Sequence, residues 1–335
     1  VATTKKILII RLSSIGDIVL TTPIVRCIKQ QIPNCQINYL VKEQYESVLS
    51  ANPYIDNILL FKNMEETKKV IKKNNYDFIV DLHNNFRSAQ IKKVSKAKAN
   101  SFPKVNIEKW LMVNFKVNRL PKKHIVDRYF EATKALNIKN DSLGLDFFIH
   151  SKNQYEFGDK PKDKRYLAIA VGAGHFTKQI PIENLQQIIN NVNIPIVLLG
   201  DENDNKTALK LLSLENNVPL NLCGKLNIQQ TASVIQNAKA VLCGDTGIMH
   251  IASAFHKKIF SIWGNTIPEF GMYPYLKNNS EKAAIYEVKG LKCRPCSKIG
   301  YSKCPKNHFN CMKSINYEKL IDDINNYEQA FFFNG

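Results

Sequence analysis

The stretch Ala240-Val241-Leu242-Cys243-Gly244-Asp245-Thr246-Gly247-Ile248-Met249-His250 reads as a short buried strand that ends in a glycine-bounded turn and feeds a helix over 248–255. A continuous apolar run of this length suits a strand covered on both faces, the habit of parallel sheets. Backbone N–H groups at the helix start, with the positive end of its dipole, form an anion site. Thr246 adds a hydroxyl, and Gly247 lets a phosphate approach the backbone. Asp245 repels a diphosphate and is better suited to a cap, a ribose hydroxyl or a hold on His250. His250, one turn into the helix, is either a packed structural histidine or a contact to phosphate or sugar.

The same strand-to-helix grammar repeats outward from this turn. Short apolar runs at 6–11, 36–41, 57–61 and 78–82 alternate with helical stretches at 18–30 and 64–73. After a polar stretch at 151–164 a second series begins, with strands at 166–171, 194–199, 240–243 and 258–263. Its helices are expected at 182–191, 202–214, 228–237 and 248–255. This alternation predicts an α/β chain with parallel sheets covered by helices on both faces. Two doubly wound lobes facing a cleft are expected, one over 1–155 and one over 165–315. The segment 316–335 is expected to be a helix that crosses back to the first lobe.

Ligands of doubly wound sheets bind where strand ends feed helix starts. Arg11-Leu12-Ser13-Ser14-Ile15-Gly16-Asp17 follows the first strand. Ser13 and Ser14 offer hydroxyls there, and Gly16 permits a close backbone approach. Asp17 either caps the helix or, projecting from the strand end, acts as a general base toward a hydroxyl nucleophile. The loop lacks the three glycines of a dinucleotide fingerprint. Lys178, in the loop 172–178, is either a surface lysine or a point charge on a leaving diphosphate. Glu202, beyond the strand at 194–199, is suited to accept from ribose hydroxyls.

The 335 residues carry a net charge of +18. Between His83 and Lys139, fourteen lysines and arginines face three acids, a net +11. Such a field attracts polyanions: a phosphorylated acceptor, an anionic membrane surface or nucleic acid. Aromatics do not interleave with these cations as a single-strand platform requires, and no nucleic-acid recognition motif is present, so no nucleic-acid partner is expected. A nucleic-acid-binding protein using 83–139 is the rival from a different class. No apolar run reaches the roughly 18 residues that span a bilayer. The apolar start at 7–10 is broken by Arg11 too early for a secretory signal and is expected to be a buried strand.

The run Lys6-Ile-Leu-Ile-Ile-Arg-Leu-Ser-Ser-Ile-Gly-Asp17-Ile-Val-Leu-Thr-Thr-Pro23 resembles the opening of glycosyltransferase family 9, the lipopolysaccharide heptosyltransferases. Gly244-Asp-Thr-Gly-Ile-Met-His250, Trp263-Gly-Asn-Thr266, Asp81-Leu-His-Asn-Asn-Phe-Arg87-Ser88 and His124-Ile-Val-Asp-Arg128 extend the resemblance over nearly the whole chain. It implies a GT-B fold and inverting transfer of heptose from ADP-heptose to a lipid A-linked core, by single displacement without a required cofactor. Asp17 would be the base. Lys178 would hold the donor phosphates, Glu202 the nucleoside, and Asp245, Thr246 and Gly247 the pyrophosphate and sugar. Ser13, Ser14, Gly16 and His250 are expected on the donor as well. Arg87, Arg128 and His124 would bind the phosphorylated acceptor at the cytoplasmic face of the inner membrane, the chain being peripheral to it. A family member using another nucleotide sugar is the nearest alternative.

Cys293-Arg-Pro-Cys296, Cys304 and Cys311, with His308 between, form a separate cluster. One C-x-x-C and two further thiols fit a structural zinc site; free or redox-active thiols and disulfides are the other readings. Cys27, Cys35, Cys223 and Cys243 fall in apolar patterns and are expected to be small core residues.

Overall fold

The computed structural model describes residues 4–158, 165–212, 218–276 and 278–329. The chain divides into two compact units, Val1–Asn106 with Pro121–His150, and Ile107–Leu120 with Ser151–Gly335. The first unit ends at His150 and is interrupted by Ile107–Leu120, which belongs to the second, whereas the sequence suggested a continuous first domain over 1–155. Parts of the expected linker, of the helix at 202–214 and of the terminal segment lie outside the described residues.

In the first unit the strands β1 (Lys5–Ile10), β2 (Cys35–Lys42), β3 (Asn57–Phe61), β4 (Phe78–Asp81) and β5 (Lys98–Ser101) are all parallel, in the order β3-β2-β1-β4-β5. Ile7, Leu8, Ile9 and Ile10 are fully buried, as a central strand covered on both faces requires. Helices α1 (Ile15–Val19), α2 (Thr22–Gln31), α3 (Met64–Asn74) and α4 (Phe86–Ser95) connect the strands. The single helix expected at 18–30 is two. Pro23, in the first turn of α2, brings no N–H to continue α1, and the chain restarts at Thr21. The chain then leaves as α5 (Asn106–Phe115) and returns as α6 (Ile125–Tyr129).

The second unit holds a parallel sheet of β6 (Leu167–Ala170), β7 (Ile196–Leu199), β8 (Leu220–Asn221), β9 (Ala240–Gly244), β10 (Lys258–Trp263) and β11 (Ala283–Glu287), whose first five strands are linked in turn by helices α7 (Ile182–Asn191), α8 (Asn205–Leu211), α9 (Ile228–Asn237) and α10 (Gly247–Ala254). Its order is β11-β10-β9-β6-β7-β8, the dinucleotide-fold sequence of strands. Leu167, Ile169, Leu198, Leu242 and Ile262 build its core with α7. After α11 (Asn310–Lys313), the terminal helix α12 (Tyr317–Gln329) does not cross back to the first unit. Its Leu320, Ile321 and Ile324 enter the second unit's core. Asn325 bonds the end of α7, accepting from Asn193 N–H at 2.9 Å and donating to Asn191 O at 3.0 Å. The apolar stripe of α12 is satisfied where it lies, which is the physical reason it stays.

Each sheet therefore reverses its strand order once, between β1 and β4 and between β6 and β9. The carboxyl ends of those four strands are where ligand loops are expected. Among the described residues no helix is long and apolar enough to cross a membrane.

Candidate active site

At the first reversal point, Arg11 leaves β1 and gathers the loop around itself. Its Nε donates to Ser13 O at 2.8 Å, Nη1 to Leu82 O at 2.6 Å beyond β4, and Nη2 pairs with Asp17 Oδ1 at 2.6 Å. The other carboxylate oxygen of Asp17 accepts the Ser14 hydroxyl at 2.8 Å and the Ser14 N–H at 3.3 Å. Asp17 thus does close a capping box on α1, yet its side chain keeps 23% exposure while Arg11 keeps 11%. A carboxylate held in one orientation and still partly exposed is a candidate to take a proton from a ligand hydroxyl.

His83 is a member of this group that the sequence did not single out. It follows β4, beside Leu82, whose carbonyl Arg11 holds. Its Nδ1 is buried without a hydrogen-bond partner among the described residues. Burial, then the positive charges of Arg11 and Lys104, lower its pKa to about 4, so the ring is neutral at pH 7. A neutral imidazole with an unused ring nitrogen has one hydrogen bond to offer a ligand.

The acceptor candidates separate. Arg87 stands exposed in the first turn of α4. His124 and Arg128 do not: each is only 2% exposed, and His124 Nδ1 accepts the Val126 N–H at 3.2 Å as the cap of α6. Both are held in and around α6, whereas the Arg87 side chain is exposed. Lysines of the basic region are also committed locally, Lys134 pairing with Glu131 among them. Lys92 pairs with buried Asp81 at 2.8 Å, and Lys123 with Glu131 at 2.7 Å. Burial opposes the Asp81 charge, but bonds from Lys92, the Asn84 N–H and Ser88 outweigh it and lower its pKa.

At the second reversal point, Lys178 ends a single 3-10 turn after β6, and its Nζ lies 2.6 Å from Asp245 Oδ2 beyond β9. The same oxygen accepts the Thr266 hydroxyl at 2.9 Å. Asp245 therefore orders Lys178 and Thr266. The close approach depends on Gly244, where a Cβ would meet the Lys178 carbonyl at 2.6 Å. Thr246 is the N-cap of α10, and its hydroxyl is buried without a partner among the described residues. Gly247 opens the helix and His250 is buried within it, 2% exposed. Asn265, which the sequence reading passed over, is 1% exposed with neither end of its amide bonded among the described residues. Buried unpaired amides and hydroxyls are costly, so Thr246 and Asn265, just beyond the neighbouring strands β9 and β10, are candidate contacts for a polar ligand.

Glu202 is exposed in the loop after β7, packed against Gly224, whose φ of +72° and lack of a Cβ make room for it. The glycines 172 and 200 serve Asp204 in the same manner: a Cβ at either would strike its carboxyl group. Burial, then repulsion from Asp201, raises the Asp204 pKa. Ser13, Ser14 and Gly16, expected on the donor, belong to the first unit with Asp17, whereas Lys178, Glu202, Asp245, Thr246, Gly247 and His250 belong to the second.

The cysteine segment backs this second group. Tyr301 N–H donates to Thr177 Oγ1 at 2.8 Å, and Arg294 Nε to Gly264 O at 2.6 Å. All eight cysteines are free, which removes the disulfide reading. Cys293 Sγ lies 3.8 Å from His308 Nε2, but among the described residues no three His, Cys, Asp or Glu side chains converge as a metal ion requires. The zinc set of Cys293, Cys296, Cys304 and Cys311 is thus not assembled. Cys311 is buried in the core, its thiol pushed up to about 12 chiefly by desolvation.

The profile of glycosyltransferase family 9 (heptosyltransferase) matches residues 64–303. The lipopolysaccharide core heptosyltransferase OpsX of Haemophilus influenzae is 23% identical over 337 residues, covering 96% of each chain. Among solved structures, a family 9 glycosyl transferase from Veillonella parvula superposes with a TM-score of 0.75 at 19% identity, over 96% of this chain and 97% of that one. The ADP-heptose lps heptosyltransferase II of E. coli gives 0.73 at 19% identity, over 96% and 98%. The two parallel sheets with their covering helices are those of the GT-B type to which these structures belong.

Proposed function

This chain belongs to glycosyltransferase family 9, the heptosyltransferases, and on that premise we propose that it transfers heptose from ADP-heptose to a lipopolysaccharide-core acceptor with inversion. The observation that carries the donor side is the cradle of Lys178, Asp245, Thr246 and the N-terminus of α10, with its buried, unpartnered Thr246 hydroxyl. The naming of similar proteins for ADP-heptose and for the lipopolysaccharide core supports the substrates.

In the displacement, the acceptor oxygen bonds to the anomeric carbon as the bond from that carbon to the β-phosphate oxygen breaks. Asp17 takes the acceptor proton, and ADP departs with the electron pair. Negative charge builds on the diphosphate, where Lys178 and the α10 N–H groups lower its energy. Arg11 keeps the Asp17 carboxylate in one orientation, and the neutral His83 ring orients the acceptor hydroxyl through its unused nitrogen. Glu202 receives ribose hydroxyls, and His250 supports the donor from within α10. Arg87 and the exposed lysines of the basic region meet acceptor phosphates at the cytoplasmic face of the membrane.

Thermal stabilisation against ADP-, UDP-, GDP- and CMP-sugars tests the donor. ADP-heptose at about 100 times its Kd should stabilise by about 2.7 kcal/mol. A larger shift with a UDP-sugar would replace the donor and leave the family intact.

A further inference from the structure

We propose that the exposed face of α5, with the loop it touches at Pro295, seats the second unit on an anionic phospholipid surface. The inference rests on the lipid-linked acceptor proposed above. Helix α5 buries none of its residues. Ile107, Trp110 and Phe115 are 73%, 55% and 60% exposed, at spacings that bring them onto one side of the helix. The Trp110 and Phe115 rings meet edge to face, centroids 5.2 Å apart, so the apolar surface is continuous.

The helix is pinned from elsewhere. Lys109 Nζ lies 5.6 Å from the Phe270 ring centroid, and Lys116 Nζ donates to Pro295 O at 2.6 Å. That second bond joins α5 to the loop after β11, where Ile299 and Tyr301 are 54% and 43% exposed.

Charge chooses the occupant. Residues 289–306 contain six lysines and arginines and no acid, and residues 107–120 contain three against Glu108 alone. A protein partner with an acidic face would match the cations and leave Trp110 and Phe115 in water. An anionic bilayer matches both, with headgroups for the lysines and the acyl boundary for the rings. Trp and Tyr beside lysines are the residues that settle at this depth.

The chain has two tryptophans, and Trp263 is 1% exposed, so changes in emission report Trp110. Vesicles of phosphatidylglycerol and phosphatidylethanolamine should shift its emission to the blue, and brominated acyl chains should quench it. Phosphatidylcholine vesicles should do neither. The double variant Trp110→Ala/Phe115→Ala should lose about tenfold in partitioning to the anionic vesicles, the scale expected for removing two interfacial rings. Its stabilisation by ADP and its transfer to a deacylated, soluble acceptor should remain those of the parent. Lys298→Glu/Lys303→Glu should weaken partitioning independently, without touching either ring. Unchanged emission with anionic vesicles, equal binding to phosphatidylcholine, or parent-like partitioning of both variants would overturn the proposal. So would a vesicle-independent blue shift that tracks self-association. If ADP fails to stabilise the parent, the donor reading falls while the vesicle result still stands.

Discussion

Lys178 and Asp245 form an ion pair, Nζ to Oδ2 at 2.6 Å, that ties the loop after β6 to the loop after β9. On the proposed donor reading, the pair holds the cation in place before the diphosphate arrives, and the incoming ligand then shares it. Lys178→Ala should raise the Kd for ADP about 10- to 100-fold, the worth of a charge-assisted bond. Calorimetric titration of Lys178→Ala, Asp245→Asn and the double variant reads the coupling directly. Strict additivity would separate Asp245 from the lysine's task.

Asp17→Asn keeps the size of the side chain and removes the proton acceptor. The turnover number should fall about 10²- to 10⁴-fold, the usual share of a general base, with ADP affinity within about twofold of the parent. Arg11→Met should reduce turnover by a smaller factor, since the carboxylate survives without its anchor. Turnover by Asp17→Asn within tenfold of the parent would move the base to another residue.

His83 predicts how stability follows pH. Its folded pKa of about 4 lies below the ordinary 6.5, so the unfolded chain takes up the proton first. The contribution of the neutral ring is complete above pH 6.5 and is lost as pH falls from there through about 4. Between pH 7 and pH 5 the loss should be about 1–2 kcal/mol, allowing for the ring's partial exposure. Urea unfolding at the two pH values checks it. His83→Gln should lack that part of the slope, and an identical slope in the variant would assign the titration elsewhere.

Gly244→Ala tests the close passage of the two donor loops. The new methyl would lie 2.6 Å from the Lys178 carbonyl, which is backbone and cannot swing aside. A loss of about 1–3 kcal/mol in unfolding free energy is expected, together with weaker ADP binding as Lys178 shifts. Parent-like stability would mean that the loop yields freely.

Thiol labelling should divide the eight free cysteines by environment. Burial pushes Cys27 and Cys35 up to about 11 and Cys223 up to about 12, and raises Cys243 as well. With Cys311 these five should react only after denaturation. Cys293 and Cys304 should react first at pH 8, and Cys296, raised chiefly by burial, more slowly. Eight thiols reacting in one phase in the native protein would contradict this placement.

The strands that the sequence announced are those with continuous apolar cores, such as β1 and β9. Two of those it missed, β5 and β8, lack them. Strand β5 is Lys-Ala-Asn-Ser at the edge of its sheet, and β8 has two residues. They are strands because a neighbour supplies hydrogen bonds, which periodicity does not record. Asp17 and the 244–247 turn stood out as candidates because their residue types are adjacent in the chain. His83 and Asn265 did not, since each is marked only by burial beside residues distant in the chain. The destination of α12 was hidden for a related reason: an apolar stripe announces that it will be covered, but not by which unit.

The excursion of Ile107–Leu120 has a consequence for the order in which this protein is made. A single cut at residue 150 does not separate the two units, because a fragment starting there lacks α5. On the ribosome, α5 emerges before any strand of the sheet it will join. At about 5–20 residues per second, synthesis through β11 takes roughly ten to thirty seconds more. The first unit can close at His150 while it still carries, as an unpaired loop, a tryptophan-bearing helix that belongs to its successor.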